Sequence, residues 1–354
     1  SAPDDERRHA LLLGEAQAYF ARGRASAMAD DWGSARSDFQ EAARLSPETS
    51  LRAAAEYDLA AAHLAFEQWE EAARLLERYT VAYPEHELQS EVQRKLAYAY
   101  SQQGSLSLAA DRYFDVGRSA NQQPALRRQA LANAMRLYES EGQLTRAIDA
   151  GEYYVEVFPR PSWQAVSVMR QLAELESWRD NAPRRREWLG RIVSLDHEEG
   201  DSTTVAVAAE AALELADFQR EEFSEIRLAI PLQSNLTRKI DSMEKALSAY
   251  ESAIDYGIPA VTSAAMHRMA SMYDDLGRAL LGSERPASLS EAELLEYESL
   301  LAAQAAPFAQ QAMDIYRLNA ERAREQPADP WVAKSLEQLQ VMTHAQEHRG
   351  ESET

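Results

Sequence analysis

A quartet of small and aromatic residues returns through the first half of the chain at a nearly fixed interval. Ala35, Phe39, Ala42 and Pro47 form the first set. Ala72, Leu76, Tyr79 and Pro84 form the second, then Ala109, Tyr113 and Val116 with Asn121 in the proline place, then Ala147, Gly151, Tyr154 and Pro159. The leading alanines stand 37, 37 and 38 residues apart. A period of this size means stacked supersecondary units, each of which buries its apolar face only against its neighbours. Such arrays build extended concave surfaces, which bind partners more often than they carry out chemistry.

The residues between the quartets favour helix. Gly and Pro number only 13 each in 354 residues, while Ala, Leu, Glu, Arg and Gln fill the segments between them. Each unit reads as helix A, a tight turn, helix B and a proline stop, since the proline ring and its missing N–H end the ladder. In the first unit helix A covers about 11–29 and helix B about 34–45. Gly104 and Gly142 fall at turns that need positive φ. Trp32, Trp69, Leu106 and Leu144 follow two residues later and plug the hairpin ends. Four units occupy 9–160, after a loose polar lead-in over 1–8. Beyond Pro161 the phase blurs into divergent helical pairs over 161–230. The signature returns at Ala246, Tyr250, Ala253 and Ile258 in a C-terminal module over 231–345. Within that module a helix spans Pro259 to about Leu281, Ser288 or Ser290 caps the next, and Pro307 interrupts it or starts the following helix. A final helix from Pro330 to about His344 closes the module, and 346–354 reads as a loose tail.

This pattern resembles the tetratricopeptide repeat family, whose A-x3-F/Y-x2-A-x4-P signature is met by Ala35, Phe39, Ala42 and Pro47 and more loosely by the other units. The resemblance implies an all-α fold, a right-handed superhelical solenoid of antiparallel helix pairs. The module over 231–345 resembles bacterial cell-envelope proteins of this kind in three short strings: Ser283 to Pro286, the run from Leu289 to Glu298, and Ala306 to Phe308. Some of those proteins accompany TonB/ExbB/ExbD-type or gliding-motility systems. The second resemblance implies the periplasm or outer-membrane-associated envelope; the alternative is the cytoplasm. The first residue is Ser1 and not Met, so any membrane attachment is expected only through a removed leader or lipid anchor, or through a partner.

In the family, defined positions of helix A line the concave face. Counting back from each helix-B alanine places Phe20, Arg24 and Met28 there in the first unit, and Tyr57 and Leu64 in the second. Arg94 and Tyr98 follow in the third, Arg136 and Glu139 in the fourth. The aromatics are candidate anchors for a peptide, and Arg24, Arg94 and Arg136 are candidate partners for its carboxylates or carbonyls. The bland alternative is that these arginines satisfy neighbouring glutamates. Chaperone-type carboxylate clamps of the family rely on Lys and Asn, and Asn is absent from the counted positions, so a free C-terminus is not the expected ligand.

Net charge is -21, and the densest basic spot is the short run Arg184 to Arg186, so no nucleic-acid stripe is present. There is no cysteine. Phosphate loops, metalloprotease helices and nucleophile elbows are missing from the sequence. Asp196 to Asp201 gathers carboxylates without calcium-loop spacing, and reads as a solvated turn. His344 and His348 sit four apart without a third ligand, and His63 and His267 read as packed side chains. No catalytic residue, metal site or cofactor is expected. Trp163, Trp178 and Trp188 flank the region where phase is lost and read as fillers of irregular helix joints. The function expected is a non-catalytic scaffold or adaptor for a protein or peptide, with no nucleic-acid partner, in an envelope transport or motility complex. The alternatives are a regulatory sensor for a small molecule or peptide, and a glycan-binding solenoid.

Overall fold

The computed structural model describes the backbone of residues 2–199 and 202–352, with side chains over 4–197 and 202–346. Among the described residues there are only helices and the turns between them. The chain divides into two compact units, Ser1–Pro159 and Arg160–Thr354.

The first unit holds eight helices: α1 (Ala2–Met28), α2 (Trp32–Leu45), α3 (Thr49–Ala65), α4 (Trp69–Ala82), α5 (Gln89–Gln102), α6 (Leu106–Arg118), α7 (Pro124–Ser140) and α8 (Leu144–Val157). Each packs chiefly on its chain neighbours, the one-dimensional arrangement of a repeat array. The repeating quartets supply the contacts. Ala35, Ala42, Ala72, Ala109 and Ala147 are completely buried, and Phe39, Leu76 and Tyr79 fill the space beside them. Burying each large side chain of this kind contributes about 1.5–3 kcal/mol. Gly117 belongs to the same logic, because a Cβ there would lie within 2.4 Å of Leu131 Cγ and hold α6 away from α7.

The hairpin turns share one geometry. Asp30, Glu67, Gly104, Gly142 and Asp180 all take positive φ, between 56° and 82°, at intervals of 37, 37, 38 and 38 residues. In each, the N–H of the following residue reaches back five residues to a helix carbonyl. These are Asp31 to Ser26, Gln68 to His63, Ser105 to Tyr100, Gln143 to Tyr138 and Asn181 to Glu176, all between 2.8 and 3.0 Å. This is the Schellman closure, which satisfies the last carbonyls of the first helix and reverses the chain in three residues. The fifth turn lies beyond Pro161, where the quartet is no longer visible, so the hairpin phase persists after the sequence signature fails.

The second unit contains α9 (Ser162–Trp178), α10 (Ala182–Glu199), α11 (Val205–Glu225), α12 (Leu232–Ile254), α13 (Pro259–Leu281), α14 (Glu291–Glu321), a short 3-10 turn (Arg322–Arg324) and α15 (Pro330–Ser352). Its main core joins α11, α12 and α13 through Phe223, Met243, Ala246, Tyr250, Met272 and Leu276. Among the described residues no helix is long and apolar enough to cross a membrane.

Several expected boundaries move. Residues 2–8 extend α1 rather than forming a loose lead-in: Pro3 is tolerated in a first turn, and Asp4 and Asp5 suit the positive end of the helix dipole. The tail is helical to Ser352, with no proline after Pro330 to stop it; residues 353–354 lie outside the described residues. Pro307 does not interrupt α14. Ala303, whose carbonyl loses its partner, is exposed to solvent there. Ser290 caps α14 in a reciprocal capping box with Glu293. α11 begins after Thr204, whose hydroxyl donates to buried Asp196 at the end of α10.

Candidate functional site

The A helices of the first unit are α1, α3, α5 and α7, and two neighbouring depressions open along them. One, of about 250 Å³, lies between α1, α2 and α3 and is lined by Arg24, Met28, Trp32, Phe39 and Asp58 among others. The other, of about 450 Å³, lies between α3, α5 and α6 and is lined by Leu64, Glu91, Arg94, Lys95, Tyr98 and Tyr113. Five of the positions expected on the concave face therefore come together in them: Arg24, Met28, Leu64, Arg94 and Tyr98. Phe20, Tyr57, Arg136 and Glu139 line neither.

Met28 is the most exposed apolar side chain of the group, at 87% of its free surface, and Tyr98 is 45% exposed. Tyr98 stands edge-on to Trp69, with ring centres 5.7 Å apart. Trp32 donates its indole N–H to Asp30 at 2.7 Å, which fixes it as a wall of the first depression. Two residues expected as free anchors are committed elsewhere. Phe20 packs on Phe39 at 5.9 Å. Tyr57 is half-buried against Tyr79 at 6.4 Å, lies beneath the Lys95 ammonium at 5.5 Å, and directs its hydroxyl to Glu91. Burial pushes the Tyr57 phenol well above its ordinary pKa, with the nearby Glu91 and Asp58 charges adding to the shift.

The arginines do not present a row of open cations. Arg94 pairs with Glu91 one turn away, as the bland reading holds. Arg24 lies over the Phe20 ring at 5.9 Å and, with Lys95, faces Asp58. Burial raises the Asp58 carboxyl pKa, and those two cations oppose the rise. Arg136 is exposed, and its charge acts on the Tyr113 phenol, as that of Arg94 does. Glu139 is half-buried and engaged. The face is thus a mosaic of alternating charge with apolar patches at Met28, Leu64 and Tyr98.

Sequence reasoning overlooked Asp58 and Lys95. Each directly follows an expected position, Tyr57 and Arg94, and one step along a helix still lies near the same face. Tyr113 was assigned to packing within its quartet, yet it is only half-buried and forms part of the second wall.

Elsewhere, the two histidines read as packed side chains have structural partners. His63 contacts Gln68 at 2.7 Å. His267 Nδ1 lies 3.0 Å from the Ser335 hydroxyl, and its ring packs against those of Tyr316 and Trp331. Among the described residues no three metal-ligating side chains converge. The side chains of 198–201 and of His348 lie outside the described residues. Trp188 is fully buried as a joint filler, whereas Trp163 and Trp178 are more than half exposed, which corrects the expectation for those two.

No family model matches the chain, and no curated protein matches it. Solved structures of repeat proteins are similar at low identity. A tetratricopeptide repeat protein from Parabacteroides merdae is 14% identical, with TM-score 0.38 over 81% of this chain and 99% of that one. The C-terminal part of a repeat-containing protein from Cytophaga hutchinsonii is 11% identical, with TM-score 0.37 over 90% and 99%. The TPR2AB domain of yeast Sti1, determined with an HSP90 peptide, is 14% identical, with TM-score 0.34 over 93% and 98%.

Proposed function

We propose that the chain is a non-catalytic scaffold that holds a segment of a partner protein along the A-helix face of residues 2–159. The observation that carries this is the pair of adjacent depressions on successive A helices, each offering exposed apolar side chains beside fixed charges of both signs. A peptide laid along them buries Met28, Leu64 and Tyr98, while its backbone and polar groups meet Arg24, Asp58 and Lys95. Apolar contact supplies the affinity and the charge mosaic fixes the register. The strongly shifted tyrosines support a structural role for the polar groups. Tyr100, Tyr138 and Tyr250 each give their hydroxyl to a carboxylate of the preceding helix: Glu77, Asp111 and Asp217.

The finer reading is assembly of a transport or motility complex in a bacterial cell envelope. It rests on the resemblance of residues 231–345. Within that module the string from Ser283 to Pro286 has a structural role of its own, because Arg285 donates to the Leu281 carbonyl at 2.7 Å and closes α13.

The test compares affinity capture from the native host by the wild-type chain and by a Met28→Glu, Tyr98→Ala variant. Both positions are exposed, so helicity and thermal midpoint stay close to wild type. Loss of a reproducible partner supports the reading, and unchanged capture removes it. Fractionation of the same cells tests the compartment: recovery in the cytosol alone sinks the envelope assignment.

A further inference from the structure

The last three helices leave an apolar groove uncovered. α13, α14 and α15 surround an open space of about 310 Å³. Gly277 on α13 and Ala302, Ala306 and Ala309 on α14 are among its lining residues, with Met313 at one end and Val341 on α15 at the side. Along α14, Leu295, Ala302, Ala306 and Ala309 follow one another at helical spacings of seven, four and three residues, and buried Met313 comes four residues later. They form one stripe of the kind that seats a second helix. Alanines leave room for a partner backbone to come close. Leu295 extends the stripe beyond the groove and is 70% exposed. A terminal repeat ordinarily turns a polar face outward; here Leu300, Leu318 and Leu336 are exposed as well.

The charge around the groove selects an occupant. From Glu291 to Tyr316, α14 has no Lys or Arg, but carries Glu291, Glu293, Glu296, Glu298 and Asp314. On α13 the flanking residues are Asp274 and Asp275. Arg278, the basic residue lining the groove, is held by both of them, at 2.7 and 3.0 Å. Glu298 is paired with Arg285 and Asp314 with Arg317, so the net negative charge stands at the N-terminal end of the stripe, on Glu291, Glu293 and Glu296. A second copy of this chain would bring an acidic helix against an acidic helix.

We propose that this groove docks an amphipathic helix of a partner protein, with large apolar residues on Ala302, Ala306 and Ala309 and lysines or arginines facing Glu291 and Glu296. The groove lies in the second unit and uses none of the residues of the peptide face. The scaffold thus has two independent attachment points, one for an extended segment and one for a basic helix.

The probe is a fluorescent peptide of leucine and lysine in an amphipathic helical pattern, about two heptads long, titrated with the full chain by anisotropy. Controls are a permuted peptide of the same composition and a leucine–glutamate peptide of the same pattern. The patterned basic peptide binds, and both controls bind about tenfold more weakly or worse, the size expected for losing a central contact. Ala306→Trp fills the groove from an exposed position without changing charge. It weakens binding about tenfold, as does the double variant Glu291→Lys, Glu296→Lys. The Met28→Glu, Tyr98→Ala variant binds the probe like wild type. Equal binding of the permuted peptide, or unchanged affinity in a folded Ala306→Trp chain, overturns the proposal. So does a dimer, seen by light scattering, that Ala306→Trp dissociates, because a second copy would then be the occupant.

Discussion

Lys239 on α12 engages Phe223 on α11 twice: its ammonium donates to the Phe223 carbonyl at 2.8 Å and lies 4.0 Å from the centre of the Phe223 ring. It also donates to the Ile226 carbonyl at 2.9 Å. The lysine is 4% exposed. It thus closes the C-terminal end of α11, where carbonyls lack helical partners and the dipole favours a cation. Burial lowers the lysine pKa, opposed by Asp275. Lys239→Met keeps the side-chain length and removes the donors, leaving carbonyls short of partners. It should cost about 1–3 kcal/mol, read as a lower urea midpoint with an unchanged slope. A midpoint equal to wild type would mean that the desolvation of the lysine cancels its bonds.

Gly117 and Leu131 should couple. A Cβ at 117 would collide with Leu131, so Gly117→Ala should destabilise by about 1–3 kcal/mol through overpacking. Leu131→Ala alone should cost about 2–5 kcal/mol through the cavity it leaves. In the double variant the new methyl enters that cavity, and the total loss should fall below the sum of the two. Strict additivity in this double-mutant cycle would show that α6 and α7 do not meet at these residues.

The His267 ring sits in a short chain of polar groups. Asn319 donates to the Ser335 hydroxyl oxygen at 2.9 Å, and that hydroxyl lies 3.0 Å from His267 Nδ1. Burial pushes the His267 pKa down to about 4, with Lys334, Arg268 and Arg220 adding repulsion. An unfolded histidine titrates near 6.5, so between that value and about 4 the unfolded chain binds more protons. Stability therefore falls as pH drops through this window, by on the order of 2–3 kcal/mol for this one group. His267→Gln should be less stable than wild type at neutral pH and lose less on acidification from pH 6.5 to 4. Parallel pH profiles for the two chains would rule out this account.

Sequence periodicity revealed most of the architecture and misplaced part of the site, and both outcomes have physical causes. The quartets are legible because a buried helix–helix contact tolerates few residue types: at Ala35, Ala72, Ala109 and Ala147 anything larger would separate the helices. The fifth hairpin reads only as a divergent helical pair without the repeat signature, because Arg185 stands where the alanine is expected, five residues after the turn residue Asp180. Leu189 and Ile192 replace the aromatic and the second alanine, and both are fully buried. The same packing is achieved with other side chains. On the A-helix face, counting names a row of positions but cannot show that Tyr57 and Phe20 turn inward onto Tyr79 and Phe39. Rotamers there are set by the adjacent helix, and spacing within one helix carries no record of them.

Arg185 also explains how the fifth hairpin is held. It pairs with Glu214 on α11, and Arg170 on α9 reaches the same carboxylate at 2.6 Å. One acid on α11 therefore ties both helices of the hairpin to the next element, where the first four hairpins rely on alanine contacts. Glu214 is 20% exposed, so the pairs are only partly screened by water. Glu214→Gln keeps the shape but leaves two guanidinium groups facing each other, with only the exposed Glu174, 3.7 Å from Arg170, as a remaining counter-charge. The expected loss is about 1–3 kcal/mol at low salt, shrinking as ionic strength rises and screens the repulsion. Changing Arg185 to Ala as well should recover part of it, because the remaining arginine then has no like charge opposite it. A Glu214→Gln loss that ignores both salt and the second substitution would show that packing, and not this ion cluster, joins α9 and α10 to α11.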